Sequence, residues 1–330
     1  MFQRRTASNS PSDQGGEGGN ATAKQSAALT QCGGEIVDRG GTGSGHRSRC
    51  IFINYQLGNR ITSSTWLSLA SLSYFHNQTI NAYSHLIGAL VFVSLPYYFD
   101  EYVYKHQRHV EAIDLIVVCT YCIGVAVCFL FSVTFHVNWN NSKELTALCN
   151  KLDYPGILVL MWGAGIPTIY YGFFCNQGLC WLYWALTSGT ALSCGIFTLN
   201  PHFSSPRFRH WRACFYAGFG LSSLIFVIHG LLLHGWELHK SRMSLVWMGW
   251  MATSNLVGAA IYATRGLLTY STKIPERWAP YRFDLCGANH QLFHISIVAA
   301  AVIHFDGLVA AFRITRSNQS PCHSSDVIDP

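Results

Sequence analysis

The chain has 330 residues, half of them hydrophobic and only 12% charged, about half the charged share of an ordinary soluble domain. Its net charge of +6 is spread along the sequence and forms no basic stripe of the kind that binds nucleic acid. The composition therefore excludes a nucleic-acid-binding class and points away from a soluble domain toward a membrane protein.

Residues 1–50 are rich in Gly, Ser, Thr and Asn, with "GGEGGN" and "GGTGSG". Such a segment cannot bury enough apolar surface to offset its ordering entropy, so it is expected to be disordered and cytosolic. It lacks the apolar core of a cleavable signal, and the first span is expected to act as the insertion signal. Residues 51–80 contain "WLSLASLSYF", the pattern of a juxtamembrane amphipathic segment lying at the bilayer surface. Residues 81–312 hold seven apolar runs, at Ala82–Phe99, Leu115–Val137, Tyr154–Cys175, Trp181–Leu199, Ala213–Leu233, Ser244–Thr264 and Gly287–Phe312. Each is close to the roughly 20 residues needed to span a bilayer. The expected architecture is an all-α membrane protein, a seven-transmembrane helix bundle, followed by a short polar tail over 313–330.

Orientation follows from Lys and Arg. With a cytosolic N-terminus, the inner loops carry Lys143, Lys151, Arg207, Arg209, Arg212, Arg265, Lys273, Arg277 and Arg282. The outer side carries Lys105, Arg108, Lys240, Arg242, Arg313 and Arg316. The bias favours an N-terminus inside and a C-terminus on the extracytosolic side. Asn318 opens the sequon "NQS" in that outer tail, where it could accept a glycan.

Twelve cysteines would suggest a disulfide scaffold in a small secreted chain. Here most lie within the apolar runs, where Cys behaves as a small hydrophobe. Cys119 and Cys122 form a CxxC inside such a run, more a packing pair than a redox one. Cys175 and Cys180 flank the short loop "CNQGLC" and could pair if it faces an oxidising compartment.

An ionisable side chain inside a span is costly unless it faces the bundle interior and has a partner. Four such residues fall at one depth once the spans alternate. His136 ends the second span, Asp153 starts the third, and His290 and His294 start the seventh. His290 and His294 are four apart and project from one helix face, as do Ser132 and His136. Two His on one helix and a third on another fit a three-His zinc site with an open position. Water there would become a nucleophile near neutral pH. Asp153 could serve that water as general base or bind the metal directly, and Ser132 could orient a ligand or substrate. The competing reading is that each His makes a helix–helix hydrogen bond.

Other polar residues fit the site less well. His304 lies roughly 15 Å along the helix from His294 and is expected to bond Asp306 or a neighbouring helix. His229, His234 and His239 recur every five residues, which turns them off a common face. Asn81 and His85, four apart at the start of the first span, are either partners of the site or helix-start polar groups.

These segments resemble the progestin and adipoQ receptor (PAQR) family, the adiponectin-receptor-like, haemolysin-III-related membrane proteins. The resemblance covers about residues 55–312. The family's SxxxH is "SVTFH", Ser132 to His136; its "LDYSGI" is "LDYPGI", Leu152 to Ile157; and its HxxxH opens "HQLFHISIVAAAVIHF". "PERWAPYRFD" and "HNQTINAYSHLIGA" resemble two further family segments. The resemblance implies seven helices with the N-terminus inside and zinc near the cytosolic face, held by His136, His290 and His294. It implies that Asp153 positions a water and that Ser132 belongs to the site. Gln78 stands where the family usually has Glu, which puts any role of that carboxylate in doubt here, and Pro155 replaces a small residue.

The resemblance also implies a function. The first reading is a zinc-dependent, ceramidase-like hydrolase of lipid amides, tied to lipid, sterol and zinc homeostasis signalling. The alternative is a seven-transmembrane signalling receptor with a purely structural zinc. A transporter is disfavoured, since few ionisable groups beyond the cluster could line a path. The expected partners are a ceramide- or sterol-like lipid, the membrane itself, and an extracellular protein ligand in the receptor reading. The expected location is the plasma membrane or an endomembrane.

Overall fold

The computed structural model describes residues 30–32, 35–37, 64–203, 208–267, 288–317 and 322, and the chain divides into two units, Met1–Ile53 and Asn54–Pro330. In the first unit, strand β1 (Thr30–Cys32) pairs antiparallel with β2 (Glu35–Val37), Thr30 opposite Val37. The rest of 1–50, expected to be disordered, lies outside the described residues, as do "PERWAPYRFD" and the Asn318 sequon.

The second unit is helical throughout its described residues. A short helix α1 (Thr65–Ala70) and one 3-10 turn precede α2 (Thr79–Phe99). Ser68 of α1 is buried and its hydroxyl accepts from Asn141 Nδ2 at 2.8 Å, while Trp66, Leu67 and Leu69 face outward. A helix that anchors one polar residue and exposes its large apolar ones is suited to lie in the bilayer interface. Pro96 removes a backbone donor near the end of α2, and the helix finishes in a π turn over Asp100–Tyr104.

Helix α3 (Ala112–Val137) starts with a capping box in which Glu111 and Asp114 satisfy each other's backbone donors. Helix α4 (Lys143–Gly172) begins at Lys143 rather than at Tyr154, because the Ser142 hydroxyl caps the Leu145 N–H at 3.2 Å. The charged first turns thus extend the helix beyond the apolar run. There follow α5 (Gln177–Leu199), α6 (Arg209–His234), the short α7 (Trp236–Arg242), α8 (Leu245–Leu267) and α9 (Asn289–Ser317).

Six of the described helices are long and apolar enough to cross a membrane: α2 with its π turn, α3, α4, α5, α6 from Trp211, and α9. Helix α8 has 23 residues but is not among them. Its middle carries Thr253, Ser254 and Asn255, and the Ser254 hydroxyl donates to the Ser296 carbonyl of α9 at 2.9 Å. Thr253 and Asn255 bond within α8, to the Gly249 carbonyl and the Met251 sulfur, so these polar residues lower the apolar content while each keeps a partner within the protein.

The bundle is tightest between α3 and α4. A Cβ on Gly124 would lie 2.9 Å from the Val159 carbonyl oxygen, and one on Gly163 would lie 3.1 Å from that of Thr120. Glycine at both positions lets the backbones touch, as in small-residue membrane interfaces. Around this seam the core gathers Phe92, Phe99, Tyr121, Phe129, Tyr171 and Phe312, all essentially inaccessible.

The ends opposite the α3–α4 loop are tied by polar groups. Arg316 of α9 is buried, pairs with Asp114 at 2.8 Å and Glu111 at 2.9 Å, and donates to the Tyr170 hydroxyl at 3.1 Å. With these partners available, α9 continues beyond Phe312 to Ser317. Cys175, after α4, forms a disulfide with Cys322 of the tail. The shorter "CNQGLC" pairing is therefore not made, and Cys180 is a free, buried thiol. Cys119 and Cys122 are also free.

Candidate metal centre

Helix α3 ends at the same end of the bundle where α2, α4 and α9 begin. His136, in the last turn of α3, is 1% exposed, and His294, in the second turn of α9, is 2% exposed. His290 lies one turn earlier on α9 and is half-buried. The i, i+4 spacing turns both α9 rings toward α3. His290 Nε2 is 3.4 Å from His136 Nε2 and 3.1 Å from His294 Nε2. One nitrogen from each ring lies within 4.8 Å of the others, and among the described residues this is the group that could hold a metal ion.

The donor set fits such an ion. Three imidazole nitrogens suit zinc, and metal–nitrogen bonds of about 2.0–2.1 Å in a tetrahedral site set ligand nitrogens roughly 3.3–3.4 Å apart. The two observed separations bracket that value.

Gln78, at the N-terminal boundary of α2, completes one side. Its Oε1 lies 2.8 Å from His136 Nδ1 and also accepts from Asn81 Nδ2 at 2.8 Å. The Gln78 backbone N–H donates to His76 Nδ1 at 3.1 Å, and the His76 N–H donates to the Thr79 hydroxyl at 2.8 Å. His76 is buried, and burial lowers its pKa, which keeps it a neutral acceptor. Asn81 is thus a partner of the site through Gln78. His85 is buried as well, its ring stacked on Phe129 at 4.5 Å and 4.0 Å from the ring of His294.

Asp153 sits on α4 beside the buried Ser132 hydroxyl of α3 and near Cys128. The structure brings Ser132 and Asp153 together across the close α3–α4 seam. The three-imidazole group does not include Asp153. In the sequence Gln78 is marked only as a departure from the family's usual Glu; its contact with His136, 58 residues away, is not visible there.

The remaining histidines lie elsewhere. His304 Nε2 is 3.4 Å from both the Thr168 hydroxyl and the Ala164 carbonyl, so its partner is α4 rather than the exposed Asp306. His229 bonds the Tyr183 hydroxyl at 2.7 Å, and His234 bonds Asn176 at 3.1 Å. His229, His234 and His239 all surround Phe173, contrary to their spacing on one continuous helix. The reason is Gly235, whose φ of 74° breaks the chain between α6 and α7 and resets the helical phase. Burial, with His234 adjacent, pushes His239 down to about 4.

Comparison with known proteins agrees with this architecture. The family model for "Haemolysin-III related" matches residues 73–305. The chain is 35% identical to the adiponectin receptor protein of Drosophila melanogaster over 75% of its own length and 54% of that protein. It is 32% identical to the ADIPOR-like receptor IZH2 of Saccharomyces cerevisiae over 77% of both chains. It is 37% identical to the heptahelical transmembrane protein ADIPOR3 of Oryza sativa subsp. japonica, over 56% of its own length and 44% of that protein. Apolar helices, a buried histidine triad and these relatives lead to one conclusion: the chain is an integral, multi-pass membrane protein of the haemolysin-III-related (PAQR) family, similar to adiponectin receptors.

Proposed function

We propose that the protein has seven spans with a cytosolic N-terminus, and hydrolyses a lipid amide of the ceramide type at a zinc ion near the cytosolic face. In this reading it serves lipid, sterol and zinc homeostasis signalling. The observation that carries the reading is the convergence of three imidazoles, with His290 Nε2 3.4 Å from His136 Nε2 and 3.1 Å from His294 Nε2, and one nitrogen of each ring within 4.8 Å of the others. His136, His290 and His294 would hold the ion. Zinc, when bound, supplies a Lewis acid that polarises a carbonyl and activates water. Asp153 holds and releases the proton, taking it from water and returning it to the leaving amine. Ser132 lies beside the Asp153 carboxyl and orients it.

Two features support the orientation. Counting α8 as a span, the sixth of seven in chain order, places the α9 N-terminus and the α3 C-terminus on the side of the chain's N-terminus. The Cys175–Cys322 disulfide lies at the opposite end of α4 and α9, and disulfides persist in oxidising compartments.

A receptor with a structural zinc is the second reading, and the three-imidazole group without Asp153 is compatible with either. Asp153→Asn separates the two. The hydrolase reading expects ceramide hydrolysis to fall by at least about 100-fold with zinc content unchanged. Normal signalling by an Asp153→Asn protein that has lost hydrolysis would show that hydrolysis is not the source of function and favour the structural role.

A further inference from the structure

We propose that Gln78 is a positioning residue for the metal centre, its amide oxygen holding His136 as the Nδ1–H tautomer with Nε2 aimed at His290 and His294. The inference rests on the metal reading of the triad.

Gln78 Oε1 accepts from Asn81 Nδ2 at 2.8 Å and lies 2.8 Å from His136 Nδ1. An amide oxygen has no proton to give, so the imidazole nitrogen facing it carries the hydrogen. The other nitrogen, Nε2, then keeps the lone pair a metal needs. The oxygen is itself held from two sides. Asn81 fixes the side-chain end, and the backbone end is fixed by the Gln78 N–H bond to His76 Nδ1 at 3.1 Å.

The bland explanation for a polar residue here is helix capping. It does not apply, because the Gln78 side chain makes no capping hydrogen bond to α2. Its polar atoms serve His136 and Asn81 instead. A metal-ligating His commonly donates its second N–H to a fixed acceptor, and loss of that acceptor weakens metal affinity. A neutral amide does this without adding charge, so the three-imidazole centre keeps the full charge of the cation.

The test is a cobalt(II) titration with zinc competition on the full chain in detergent, comparing wild type, Gln78→Leu and Gln78→Glu. Gln78→Leu keeps the bulk and removes the acceptor; it is expected to bind about 10–100-fold more weakly and to shift the visible cobalt bands. Gln78→Glu restores an oxygen acceptor and is expected to bind at least as tightly as wild type. Metal-free Gln78→Leu leaves the buried Asn81 and His136 without this acceptor and is expected to melt lower, so affinities are compared at a temperature where all three are folded. The inference is overturned if Gln78→Leu keeps wild-type affinity and bands, or if Gln78→Glu is as weak as Gln78→Leu. Failure of wild type to bind any metal would remove the metal reading along with it, a different result from a wild type that binds and a Gln78 variant that does not care.

Discussion

His290 and His304 lie on one helix and face different tasks, and the difference is set by what surrounds each ring. His290 meets two other imidazoles, while His304 meets a hydroxyl and a carbonyl of α4. A ring among neutral nitrogen donors is suited to a cation, whereas one beside a carbonyl closes a helix–helix hydrogen bond. His290→Ala is therefore expected to lose bound zinc. His304→Ala should keep zinc but lose about 1–3 kcal/mol of stability, from the cavity left beside Tyr121, since Thr168 and Ala164 still bond each other. Zinc content and thermal unfolding of both variants check this. The three-imidazole group was legible because i, i+4 spacing and span alternation are local rules. Gln78 was not, because its role depends on an approach between α2 and α3. His85 was left open for the same reason, since its contacts, Phe129 and His294, come from two other helices.

At the scale of elements, the α3–α4 seam sets the distance between Ser132 and Asp153. Gly163→Leu would force a side chain against the Thr120 carbonyl, and the expected cost is about 1–3 kcal/mol. Its measure is the shift in thermal unfolding relative to Gly178→Leu, where nothing lies within 4 Å of the added carbon. The α6–α7 break has its own signature. His239 is held at about 4 by burial and by His234, below the roughly 6.5 of an unfolded histidine. A folded value depressed this way stabilises fully above pH 6.5, and the contribution is lost as pH falls from there toward 4. His239→Phe should flatten that part of the melting-temperature profile; an unchanged profile would contradict the assignment. The break itself was hard to read from sequence. Gly235 was visible, but the positive φ that brings His239 back over Phe173 was not.

For the whole molecule, the two ends of the bundle are built differently: one gathers imidazoles, while the other is tied by Arg316, Asp114 and the Cys175–Cys322 bridge. Arg316→Met leaves the buried Asp114 without its counter-ion, at an expected cost of about 3–5 kcal/mol in thermal or denaturant unfolding. The all-helical membrane architecture was legible because long apolar runs have few alternatives in lipid. The disulfide was not, since it joins cysteines 147 residues apart and a nearer pair drew the sequence reading. Bound metal per chain in detergent-purified wild type and His294→Ala is the direct measurement of the proposed centre. Close to one zinc is expected in wild type and little in the variant. Folded wild type free of zinc, or equal zinc in both proteins, would contradict the proposed centre.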